Sequence, residues 1–145
     1  MVRAVKWMPE RELTYPCADI SYFWEARKDA EFKVIMHFSR IADGLKNDLE
    51  INFGIPMAVC WEDESYGLIE IPDGIPTTEN SSKWSHPTLI IEESELARKY
   101  ADRKYSSGGP EAGDVVHYLL ISLNDVLHLL SETKPVTKWV TPIDD

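Results

Sequence analysis

With 145 residues, 25 acidic against 15 basic side chains and a formal charge of −10, the chain has the size of one domain spanning 1–145. Its charge excludes sequence-independent attraction to DNA or an anionic membrane, and suits a basic protein partner or bound cations instead. Two cysteines, Cys17 and Cys60, are too few for a disulfide framework and lack metal-ligand spacing, while no apolar run approaches a membrane span and the opening residues carry no signal-peptide core, so a cytoplasmic protein is expected.

The first eighteen residues carry Pro9 and Pro16 and read as an extended arm. From about Ser21 to Leu49, Phe23, Ala26, Ala30, Val34, Phe38, Ile41, Leu45 and Leu49 recur at steps of three and four, which predicts an amphipathic helix. IPMAVCW and YGLIEIP then surround the acidic turn EDES and end at Pro72 and Pro76, predicting a small β-hairpin over 55–76. After a polar loop, Pro87 suits a helix first turn, and a second helix is expected from there to about Ala101 or Tyr105, before SSGGP breaks the chain.

The next run, PEAGDVVHYLLISLNDVLHLLSE, admits a strand followed by a helix or one long helix. Helical phase favours the second. At about 100° per residue, Val115, Val116, Leu119, Leu120, Leu123, Val126, Leu127 and Leu130 fall on one side, with Glu111, Asp114, Tyr118, Ser122 and Asp125 on the other. The expected fold is therefore mainly α, with three principal helices and an inserted hairpin.

Two acidic pairs share one spacing, Glu92 with Glu95 and Glu111 with Asp114. On helices each pair presents two carboxylates on one face. Four such groups converging would repel one another by about 3 kcal/mol per pair at roughly 5 Å and an effective dielectric near 20, and a hard divalent cation removes that repulsion. Oxygen-only ligands select Mg²⁺ or Mn²⁺ over Zn²⁺, and such an ion serves phosphate chemistry.

IEESELA followed by EAGDVVHYLL resembles the MazG-type all-α nucleotide pyrophosphohydrolases, whose pattern is Glu-Glu-x-x-Glu, a gap, then Glu-x-x-Asp. Gly113, Asp114, Val115, Tyr118, Leu119 and Leu120 continue the match, while the first Glu of the pattern falls on Ile91. The resemblance implies metal ligands at Glu92, Glu95, Glu111 and Asp114, and hydrolysis of a nucleoside triphosphate to monophosphate and pyrophosphate. Lys99 and Arg103 of the second helix would then steady the phosphates. Asp125 is a weaker acidic candidate. The broad apolar face of the third helix predicts a homo-oligomer.

The plainer reading of these acids is a solvated helix face with a Glu95–Lys99 pair, and a favourable charge at a helix start. His37-Phe-Ser39 and His86-Pro-Thr88 fit the His-x-Ser/Thr pattern of two-histidine phosphoesterases. That chemistry needs strands, and a helical segment around His37 excludes it. The competing function is a small acidic inhibitor or immunity protein that covers a basic surface of a nuclease or nucleic-acid-binding complex. Such a protein spreads its carboxylates over the exterior, whereas the enzyme converges them.

Overall fold

A computed structural model describes residues 2–7, 17–25, 30–40, 45–63, 86–106 and 114–142, apart from the side chains of 103–106. Nine strands form two antiparallel sheets among these residues. One sheet takes the order β1-β6-β7-β8-β5, from β1 (Arg3–Lys6), β6 (Thr88–Glu92), β7 (Val116–Ile121), β8 (Asp125–Ser131) and β5 (Ala58–Asp63). The other takes the order β2-β3-β4-β9, from β2 (Ile20–Glu25), β3 (Glu31–Met36), β4 (Asp48–Asn52) and β9 (Val136–Val140). A single α-helix, α1 (Glu95–Ser106), is present among the described residues.

Period-2 alternation explains which sides meet. In the four-stranded sheet, Phe32, Val34 and Met36 of β3 and Leu49 and Ile51 of β4 are buried, and they pack with Tyr118, Leu120, Leu127 and Leu129 of the five-stranded sheet in one core. The opposite face of the five-stranded sheet buries Ala4, Leu89, Ile91, Leu119, Ile121 and Val126. The first turn of α1 lies on that face, because Ser94 Oγ reaches His117 there. The five-stranded sheet is thus the middle layer.

That position overturns the mainly α expectation. The run 111–130 is not a third helix: β7 and β8 are paired strands, with Tyr118 opposite Leu129 and Leu120 opposite Leu127. Strands covered on both faces carry apolar residues at both parities, so their sequence loses alternation and its apolar positions also fit a helical stripe. The reversing turn was the readable signal. Ser122 Oγ accepts from the backbone N of Asn124 at 3.2 Å and of Asp125 at 3.0 Å, and Ser122 N donates to Asp125 O at 2.9 Å. A side chain that bonds its own backbone this way closes a hairpin.

The helix expected over 21–49 is instead β2, β3, a short 3₁₀ turn at Phe38–Arg40, and β4. Of the residues at its steps of three and four, Val34 and Leu49 point inward from separate strands and Phe38 is buried in the 3₁₀ turn, whereas Phe23, Ala30 and Leu45 are exposed. In the second expected helix, the first half is β6 and only the second half is α1. Glu93 takes a left-handed φ of 55° between them, which ends the strand at some steric expense. Ser94 then caps the helix: its Oγ accepts from Ala97 N at 3.0 Å and its carbonyl from Arg98 N at 3.1 Å. Of the hairpin placed at 55–76, β5 is a strand, but it pairs with β8. Its other arm lies outside the described residues.

Candidate functional site

Glu92 ends β6, is exposed, and pairs with Arg3 at 3.0 Å. Glu95 opens α1 and is exposed, so the two share no helix face. Asp114 is exposed just ahead of β7. Because Ile91 pairs with His117 in antiparallel register, Asp114 stands at the same end of the sheet as Glu92. Glu111 lies outside the described residues. No group of three or more His, Cys, Asp or Glu side chains is placed to hold a metal ion among the described residues. Lys99 is exposed on α1, the Arg103 side chain is not described, and Asp125 is occupied with Ser122 and with Trp61 Nε1 at 2.8 Å. The helical surface on which four carboxylates were to converge, and the apolar third-helix face behind the expected homo-oligomer, are both absent from the described fold.

What the strands assemble instead is a set of histidine networks. On the outer face of the middle sheet, Ser94 Oγ lies 2.7 Å from His117 Nδ1, His117 Nε2 lies 2.8 Å from His128 Nδ1, and His128 Nε2 lies 2.7 Å from Glu62 Oε2. With both imidazoles neutral one polarity satisfies every bond: the Ser94 hydroxyl, the His117 Nε2–H and the His128 Nε2–H each donate toward the carboxylate. Burial, and then the neighbouring His128, push His117 down to about 3, so it is held neutral. Both imidazoles are buried.

A second network sits where β2, β3 and β4 meet. Ser21 Oγ is 2.7 Å from His37 Nε2, and His37 Nδ1 is 3.1 Å from Asp48 Oδ2. The other carboxylate oxygen accepts from Ser39 N at 2.9 Å and Ser39 Oγ at 2.7 Å. His37 and Ser39 therefore share one partner, and the helix that separated them in the sequence reading does not exist. Burial pushes the Asp48 carboxyl up, but the hydrogen bonds from Ser39 and His37 more than offset it and hold the group below the ordinary range. His86 and Thr88 both meet the Trp7 carbonyl, at 3.3 and 2.6 Å. Nearby Cys17 is fully buried, and burial followed by the Asp19 charge pushes its thiol far up. It is no nucleophile.

The third feature is apolar. Among the described residues, β2 and β5 are the end strands of their sheets on one flank of the sandwich. Tyr22 and Trp24 share the inward side with Ile20, since they pair with Val34 and Phe32, yet they are 45% and 51% exposed. Trp61 of β5, opposite Leu127, is 50% exposed. Between them runs a cleft of about 550 Å³, floored by Phe32, Met57 and Val59. Two carboxylates stand on the side of Trp61, where Asp63 and Asp125 pair across β5 and β8, whereas Glu25 and Glu31 pair on the opposite face of the four-stranded sheet from Trp24. Lys33 bonds Glu25. The sequence spread of five tryptophans gave no sign that Trp24 and Trp61 would meet across a cleft, because sheet order alone brings them together.

No helix among the described residues is long and apolar enough to cross a membrane. No protein-family model matches the sequence, and no curated protein or solved structure matches it either.

Proposed function

We propose that the chain is a small acidic binding protein of the inhibitor or immunity class, and that its cleft between β2 and β5 receives an extended basic segment of a partner protein. One observation carries the reading: half-exposed Tyr22, Trp24 and Trp61 face a cleft between two strands that end their sheets among the described residues, with Asp63 and Asp125 on the Trp61 side. Large exposed aromatics are the residues that carry binding energy at protein interfaces. End strands offer unpaired backbone groups to an added strand, while the carboxylates favour Lys and Arg over acidic competitors. A net charge of −10 steers the same choice at long range.

The pyrophosphohydrolase reading drew its support from carboxylates on adjoining helices, and that support is gone with the helices. Its distinguishing result remains simple to seek, as pyrophosphate release from nucleoside triphosphates with Mg²⁺ or Mn²⁺.

The test uses three labelled decapeptides: alternating Lys and Val, alternating Glu and Val, and the Lys–Val sequence with alternate backbone nitrogens methylated. Binding is read by anisotropy and by tryptophan fluorescence. The expected result is association of the basic peptide alone, weakening as salt rises. Equal binding of the acidic or methylated peptide, or no binding of any, overturns the proposal.

A further inference from the structure

Ser21, His37 and Asp48 hold the mutual geometry of a nucleophile, a base and the group that orients the base. Each position follows from the strands. Ser21 pairs with Ile35, so His37, just past the end of β3, lies diagonally from it on the same face of the sheet. Opposite His37 the strand bulges, with Ala18 N donating to His37 O at 3.3 Å and His37 N to Asp19 O at 3.0 Å. Bulges re-aim side chains. Here the imidazole is presented to Ser21, whose hydroxyl is on the exposed side of β2. Asp48 is fixed from behind by both donors of Ser39, which leaves its second oxygen for His37 Nδ1–H and sets the Nε2 lone pair toward the serine.

A donor for an oxyanion stands next in the chain. The His37–Asp19 bond sets the ladder's phase, so alternation turns the Ser21 N–H toward β3 and the Tyr22 N–H away from it, on the side of β2 that no described strand covers. The neighbouring Asp19 Oδ1 is buried with no hydrogen-bond partner among the described residues, while Oδ2 of the same group bonds Arg40 at 2.9 Å. The net charge of −10 disfavours an anionic substrate at long range.

We propose that Ser21, His37 and Asp48 form an acyl-transfer centre that hydrolyses small uncharged carboxylic esters. Ser21 Oγ bonds to the ester carbonyl carbon as its proton passes to His37 Nε2, and the Tyr22 N–H stabilises the oxyanion. The carbon–alkoxide bond breaks, and the alcohol leaves with the proton from His37. Water then adds to the acyl-serine, giving its proton to His37. Collapse releases the carboxylic acid and returns that proton to Ser21 Oγ. Ser21 and His37 are the catalytic residues, and Asp48 positions His37. The proposal does not depend on the docking of a basic segment.

The intact protein is treated with an uncharged alkyl fluorophosphonate and digested for mass spectrometry, and hydrolysis of p-nitrophenyl acetate is followed in parallel. The expected result is a single phosphonyl adduct on Ser21 with loss of fluoride, absent in Ser21→Ala, and at least a 100-fold fall in labelling rate for His37→Gln. Ester turnover falls to background in Ser21→Ala, which keeps its fold because the side chain is exposed. No adduct on Ser21, or turnover unchanged in Ser21→Ala, overturns the assignment. Ser21→Ala leaves the Lys–Val peptide bound and Trp61→Ala leaves Ser21 labelled, so failure of either proposal is seen separately.

Discussion

His117 Nε2 lies 2.8 Å from His128 Nδ1 in the middle layer of the protein, and neither imidazole reaches solvent. A buried imidazole beside another resists a proton, and His117 is held at about 3, well below its ordinary 6.5. The unfolded chain takes that proton near pH 6.5 while the native state refuses it. Stability is therefore complete above about pH 6.5 and falls as pH drops from there toward 3, by at most about 1.4 kcal/mol per pH unit from this residue. Urea unfolding of the wild type and His117→Asn at pH 7, 6 and 5 checks this: the wild type should lose stability more steeply with falling pH, and parallel slopes would refute it.

Asp48 has the opposite native preference, for the ionised form. Its contribution is present above the ordinary carboxylate value of about 4 and is lost as pH falls through its lower native value. Asp48→Asn turns an amide donor toward either His37 or Ser39, where a donor already points. We expect a loss of about 2–3 kcal/mol at pH 7, measured by guanidinium unfolding. The difference between variant and wild type should shrink at pH 3.

Gly54 has a φ of 63° and closes the turn after β4, with its N–H bonded to Asn52 Oδ1 at 2.8 Å and its carbonyl to Phe32 N at 2.7 Å. A Cβ there would find open space, its nearest neighbour being Thr133 Oγ1 at 4.0 Å. Gly54→Ala should therefore lower stability by about 1–2 kcal/mol from backbone strain alone. Gly54→Asn, which tolerates this conformation better, should lose less; equal losses in urea titration would point to a cause other than φ.

Trp24 and Trp61 give a contrasting expectation. Trp24 packs edge-on against Phe32 at 5.2 Å between ring centroids, and Trp61 donates to Asp125, but each is half exposed. Replacing either by Ala should lower stability by only about 1 kcal/mol while weakening Lys–Val peptide binding by at least 10-fold. Calorimetric binding and thermal unfolding of the same preparations separate the two effects. Unaltered peptide affinity would remove the aromatics from the interface.

How much was readable varies from one element to the next. Sequence by itself fixed the strong negative charge, and it marked β5 as β-prone. It also contained the Ser94 cap and the Ser122 turn, two local signals that outweigh apolar spacing because they arise from side chains bonding their own backbone. In β7 and β8 apolar spacing misled, since a strand buried on both faces has no polar side to alternate with. His37 looked like one residue on a helix, with nothing to link it to Ser21 or Asp48.

Only tertiary structure decided those partnerships. Charge and local hydrogen bonding depend on neighbours in the chain, so they can be read along it. Ser21 meeting His37 and Asp48, Glu62 closing the His117–His128 pair, and Trp24 facing Trp61 all depend on which strands lie side by side and in what register. Register is settled by the burial of whole faces at once, a collective energy that no short stretch of sequence carries.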